Sequence, residues 1–116
     1  MAFDTSLRDK AVRQAAERRE QSRLQVIQAT ESALSELAAA AGIREAYLFG
    51  SVTRQHGFRD ESDVDMAVAS TVRDPVALAA KLSRRIGREV HIVELDGSLV
   101  AERAKREGLL WTTQSS

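Results

Sequence analysis

The sequence predicts an α/β (α+β) sandwich, with helices flanking a small mixed sheet. Three observations predict it. Two Ala- and Glu-rich helical stretches open the chain, short β-prone runs then alternate with further helices, and Gly42, Gly50, Gly87 and Gly108 punctuate the boundaries. The element order reads α-α-β-β-α-β-α-β. At 116 residues, 43% hydrophobic and 29% charged, the chain suits one compact core and excludes a two-domain enzyme.

Asp4, Thr5 or Ser6 can cap a first helix over 7–23, a stretch without Gly or Pro. Its apolar stripe (Leu7, Ala11, Val12, Ala15, Ala16) is thin and fades through the charged run that follows, so this N-terminal helical arm over 1–23 buries little on its own domain. Such an arm either docks on a partner or a second copy, or stays solvated. From residue 24 the stripe strengthens through Leu24, Ile27, Leu34, Leu37 and Ala41, which are expected to pack on the core before Gly42 stops the helix. The pattern is compatible with one rod or with two.

Residues 45–49 read as a strand ending at Gly50, and 63–68 as another, alternating Val64, Met66 and Val68 against Asp63, Asp65 and Ala67. Asp74-Pro75 opens a helix whose inner face is expected to be Val76, Leu78, Ala79, Leu82 and Ile86. A third strand over 90–95, a short helix over 98–107 and a last strand over 109–112 follow, with 113–116 as a tail. Phe49, Leu110 and Trp111 fall on strands among apolar neighbours and are expected in the core.

Lys plus Arg and Asp plus Glu each number 17, so no global charge draws the chain to nucleic acid, and direct nucleic-acid binding is not expected. The balance is uneven. The first 23 residues hold six basic and four acidic side chains, whereas Asp60, Glu61, Asp63 and Asp65 crowd into six positions. The absence of Cys excludes a disulfide framework, a thiolate metal site and a cysteine nucleophile, and fits a cytoplasmic protein. No window has the ~20 apolar residues that a membrane span needs, and the N-terminus lacks the pattern of an export signal.

In a strand, residues two apart project from one face, so Asp63 and Asp65 converge. Two aligned carboxylates repel, and oxygen-only ligands favour a hard ion, so the pair points to Mg²⁺ rather than to a solvated strand end. Gly50 permits close backbone approach after the first strand, and Ser51 can open a short helix over 51–55: strand, glycine and helix start make a phosphate seat. Arg54, one helical turn beyond Ser51, can face the same anion or remain a surface charge. Asp60 and Glu61 read as loop solvation with Arg59 as their partner, and His56 as an exposed loop residue.

Leu48-Phe49-Gly50-Ser51, a loop, and Ser62-Asp63-Val64-Asp65 together resemble the signature of the DNA polymerase β-like nucleotidyltransferases, especially the small stand-alone minimal nucleotidyltransferases. The resemblance runs from residue 43 to about 112. It implies the polymerase β-like nucleotidyltransferase fold over 24–112 with the arm as an added helix, Gly50 and Ser51 as nucleotide-binding residues, and Asp63 and Asp65 as Mg²⁺ ligands with ATP as co-substrate. Two departures stand out. Gly-Ser is followed by Val52-Thr53-Arg54-Gln55, which retains Arg54 but shifts the next glycine to Gly57. Where relatives carry a third carboxylate the sequence has His91 in Val90-His91-Ile92-Val93, and strand alternation puts Glu94 on the opposite face.

His91 reads either as a general base for an acceptor hydroxyl, its ordinary pKa of ~6.5 suiting that task, or as a mark of weakened transfer. The resemblance further implies an antitoxin that neutralises a HEPN-type, RNase-like toxin in a hetero-oligomer, by Mg²⁺-dependent transfer of AMP from ATP to a toxin tyrosine and by complex formation. The alternatives are a catalytically silent relative that binds and inhibits its partner, and a nucleotide-binding regulator. With the length spent on one domain, the acceptor is expected in another protein.

Overall fold

The computed structural model describes residues 6–55, 57–59, 61–69 and 72–113. The capping residues Asp4 and Thr5, the loop residues His56 and Asp60, and tail residues 114–116 lie outside the described residues. Three helices and four strands follow in the expected order, with the two opening helical stretches joined into one: α1 (Ser6–Ala41), β1 (Glu45–Phe49), β2 (Val64–Val68), α2 (Pro75–Ile86), β3 (Val90–Glu94), α3 (Leu99–Glu107) and β4 (Leu109–Thr112). A 3₁₀ turn, Gly50–Thr53, follows β1.

The sheet is mixed, in the order β3-β2-β1-β4. β1 pairs antiparallel with both β2 and β4, and β2 pairs parallel with β3 through the α2 crossover. One face is closed. Ala46 and Leu48 of β1, Val64, Met66 and Val68 of β2, Val90 of β3 and Trp111 of β4 join Leu34, Ala38, Leu78 and Leu82 of α1 and α2 in one apolar cluster. The opposite face carries Asp65 and Ala67 by strand alternation, and α3 covers part of it with the buried Ala101 and Ala104.

α1 is one continuous helix of 36 residues, about 54 Å long at 1.5 Å per residue, and it accounts for the 66 Å long axis of the molecule. The boundary expected at 23/24 falls inside it. Leu7, Val12 and Leu24 are 79%, 63% and 53% exposed, and the first buried residue is Val26. Val26, Thr30, Ala33, Leu34 and Ala38 are buried, and the expected Ile27, Leu37 and Ala41 pack against the core at its margin; of the expected stripe Leu24 alone faces solvent. Small residues let the helix approach the sheet closely, and the Thr30 hydroxyl enters the core at no hydrogen-bonding cost because it donates to Val26 O at 2.7 Å.

α2 starts as the sequence predicts: the Asp74 side chain accepts from the Ala77 N–H, Pro75 occupies the first turn, and Gly87 closes the helix at φ +78°. Its inner face is narrower than expected. Leu78 and Leu82 are buried, but Val76, in the first turn, is 81% exposed. Leu110, expected in the core, is 55% exposed: β4 is an edge strand of four residues, Leu110 lies on its open face by alternation, and only Trp111 on it is buried.

Candidate functional site

The site is built where β1 ends beside the start of β2. Gly50 leaves β1 with φ +79°, and a Cβ there would lie 2.5 Å from Asp65 Oδ2. Glycine is therefore required twice, for its left-handed backbone and for the space the carboxylate fills. The helix expected over 51–55 is a shorter 3₁₀ turn, closed by Thr53 Oγ1 donating to Gly50 O at 2.7 Å and by the Arg54 N–H donating to Ser51 O at 3.1 Å. Arg54 itself is extended and exposed, so it does not stand one helical turn above Ser51. It approaches the same space from the side. Phe49, Gly50, Arg54 and, from α3, Val100, Arg103, Ala104 and Glu107 line a cleft of about 230 Å³.

The turn is braced from behind by α1. Arg23 Nη1 donates to Val52 O at 2.9 Å while its Nε lies 2.6 Å from Glu20 Oε1, and Val52 is fully buried. A carboxylate and a main-chain carbonyl thus hold one guanidinium in a fixed pose. The loop leading to β2 is held in the same way by Arg88, whose guanidinium lies 4.4 Å from the Phe58 ring centroid and donates to the carbonyls of Arg59 and Ser62, both at 3.0 Å.

Asp63 lies just ahead of β2, one residue outside the strand expected for it, and Asp65 lies within it, paired with Phe49 on one side and His91 on the other. Partial burial raises the Asp65 carboxyl above its ordinary range, with Asp63 adding to the rise and His91 opposing it. His91 Nε2 is 3.2 Å from Asp63 Oδ2 and 3.6 Å from Glu89 Oε1. One ligand atom from each of Asp63, Glu89 and His91 lies within 4.8 Å of the others, a spacing that suits a single divalent cation. Burial of Asp65 and the crowding of carboxylates both favour a positive charge here.

Gly50, Ser51, Asp63, Asp65 and His91 therefore meet at one end of the sheet, with Arg54 at the rim. Glu94 is exposed at the other end of β3, paired with Val68. The sequence reading missed Glu89, although its two-residue spacing from His91 is the signal already used for the aspartates. It also missed Arg103 and the bracing Arg23 and Arg88, which reach the site through tertiary packing and leave no local pattern. A second cleft, about 450 Å³, lies between the arm and the loop and is lined by Ala15, Arg18, Arg19, Arg59 and Glu61; it contains none of the carboxylate cluster.

A mixed sheet with clustered carboxylates beside a Gly-Ser turn is an arrangement able to hold a divalent cation next to a phosphate group. The family model for "Polymerase beta, Nucleotidyltransferase" matches residues 31–114, and the chain belongs to that family. No curated protein and no solved structure matched the chain. Residues 1–30, and with them about two thirds of α1, lie outside the family match. Among the described residues no helix is long and apolar enough to cross a membrane.

Proposed function

We propose that this nucleotidyltransferase domain transfers AMP from ATP to a hydroxyl on a separate protein, a HEPN-type toxin, and so acts as its antitoxin. The observation that carries the reading is the meeting of Gly50-Ser51 with Asp63 and Asp65 at one sheet end, beside an open cleft flanked by Arg54 and Arg103. The triphosphate lies over the Gly50–Ser51 turn, with Arg54 and Arg103 offering guanidinium groups to it. Asp63 and Asp65 hold Mg²⁺. The ion supplies charge neutralisation and alignment of the phosphates. The acceptor oxygen forms a bond to the α-phosphorus, the bond to the β-phosphate oxygen breaks, pyrophosphate leaves with that electron pair, and the hydroxyl proton passes to water at the exposed end of the site.

A protein acceptor is supported by the arm. Leu7 and Val12 project from it into solvent, and Arg18 and Arg19 line the cleft it forms with Arg59. An apolar and basic helix of this kind offers a partner both contact area and charge. Resemblance to the minimal nucleotidyltransferases supplies the partner class and the tyrosine acceptor.

The test is to incubate the chain with Mg-ATP and a HEPN-type protein encoded beside it, then to weigh both proteins intact. One added AMP on the partner is expected, and none with Asp63→Asn/Asp65→Asn. An adduct that survives the double substitution overturns the metal assignment. A stable complex with no adduct establishes instead the silent, binding-only reading, which the imidazole at position 91 favours.

A further inference from the structure

His91 is the donor in the cluster that oxygen-only magnesium chemistry does not call for. Its neighbours define what it can do. The Nε2 atom faces Asp63 Oδ2 at 3.2 Å and Glu89 Oε1 at 3.6 Å, and the three ligand atoms lie within 4.8 Å of one another. An imidazole nitrogen turned onto two carboxylates is poorly placed to accept a proton from an incoming hydroxyl, and well placed to share a cation with them.

The three residues also stand on rigid backbone. The Val64 N–H, beside Asp63, donates to Glu89 O at 2.9 Å, and the Val90 N–H, between Glu89 and His91, donates to Ser83 Oγ of α2 at 3.0 Å. His91 then pairs with Asp65 in the parallel ladder. His91 lies within β3, and Asp63 and Glu89 stand immediately ahead of β2 and β3, where the backbone bond from Val64 to Glu89 ties the two strand starts together. Charge points the same way. A neutral imidazole at position 91 leaves a cation site one negative charge short of three carboxylates, and Glu89, two residues earlier and one ahead of β3, restores it.

We propose that Asp63, Glu89 and His91 form a mixed nitrogen–oxygen cation site that selects a first-row transition ion over Mg²⁺, with His91 Nε2 as a direct ligand. Mg²⁺ favours oxygen donors and keeps its waters, whereas imidazole binding strengthens along the transition series. The inference deepens the nucleotidyl-transfer reading and rests on it: the site occupies the acceptor end of the carboxylate cluster, and Asp65, against Gly50, stays with the triphosphate.

Mn²⁺ is the probe. The nucleotide-free chain is titrated with Mn²⁺ by electron paramagnetic resonance, Mg²⁺ is added as competitor, and spin-echo modulation reads nitrogen coupled to the bound ion. The wild-type chain is expected to show imidazole ¹⁴N coupling and to hold Mn²⁺ about tenfold or more tighter than Mg²⁺. His91→Asp should keep the ion, lose the nitrogen signal and narrow the Mn²⁺/Mg²⁺ ratio. Glu89→Gln should keep the nitrogen signal and weaken Mn²⁺ about tenfold. Circular dichroism checks that both variants fold. Bound Mn²⁺ without nitrogen coupling, or a ratio unchanged in His91→Asp, overturns the proposal. Calorimetry with Mg-ATP on the same protein separates the two readings. Nucleotide binding without nitrogen coupling sinks the transition-ion site alone, and nitrogen-coupled Mn²⁺ with no nucleotide binding sinks the transfer reading.

Discussion

The two faces of the sheet differ in almost every respect except the strands they share. One face buries Leu48, Val64, Met66 and Val68 under α1 and α2 with at most 1% exposure, and the other carries Asp65, Ala67 and His91 under a nine-residue helix that covers only part of it. The same alternation writes both. In β2, Val64, Met66 and Val68 hold the fold together while Asp65, between them, faces the candidate site. Stability and function are thus divided within a single five-residue strand, and a substitution on one face should leave the other's property largely intact.

The largest effect should come from the closed face. Met66 is fully buried, and Met66→Ala removes most of its side chain from the core cluster, at an expected cost of about 2–5 kcal/mol. Urea denaturation measures it. The cation affinity of the folded fraction should stay close to wild type, and a large loss of affinity would show that the faces are not separable.

Gly50→Ala acts at the seam between them. The left-handed backbone at φ +79° should cost about 1–2 kcal/mol. The new Cβ, 2.5 Å from Asp65 Oδ2, must push the carboxylate aside. A displacement of about 1 Å at reacting groups is worth ~100-fold in rate, so transfer should fall by about that factor while the fold survives. A variant that loses stability but keeps transfer would show that Asp65 can relocate freely.

Much of this division is legible in the sequence because period-two alternation states which residues share a face, and Gly and Pro state where elements stop. Alternation put Asp63 and Asp65 on one face, and the resemblance to the nucleotidyltransferase signature brought Gly50 and His91 to them before any packing was known. Periodicity states less about rotation. A helical stripe is wide enough that Leu24 or Val26, and Val76 or Leu78, can each be chosen as its leading residue; the sheet decides, and it chose Val26 and Leu78. Arg23, Arg88 and Arg103 were invisible for a related reason: each lies 26 or more residues from the loop carbonyl it grips or on a helix whose docking place only tertiary structure defines. Glu89 was legible and overlooked, two residues from His91 and one ahead of β3.

Asp65→Asn sharpens the comparison in the opposite direction. Burial raises the Asp65 carboxyl above its ordinary range, so the folded chain keeps a proton at pH values where the unfolded chain has lost it. Stability from this group is therefore greatest below the unfolded value and falls as pH rises through the folded one. Without added cation, Asp65→Asn should match or exceed wild type in denaturation midpoint at neutral pH and lose that falling arm, while AMP transfer disappears. A clear loss of stability at neutral pH would mean that the carboxylate is a structural group after all.

The smallest effect should come from the helix that partly covers the open face. Ser98 caps α3 by accepting from the Ala101 N–H at 3.2 Å, and the Ser98 N–H donates to Asp96 Oδ1 at 3.0 Å. Hydrogen bonds from Ser98, its side chain first and its backbone second, hold the Asp96 carboxyl below its ordinary range. A lowered folded value means that this contribution is complete at neutral pH and is lost as pH falls through the folded value. Because Asp96 is fully exposed, the loss should be confined to α3 rather than felt by the whole domain. Amide exchange in the first turn of α3 should therefore speed up on acidification in wild type, after correction for intrinsic rates, and show little such dependence in Asp96→Asn. If acid instead releases β2 together with α3, the cover of the open face is part of the core's cooperative unit, and the two faces do not melt separately.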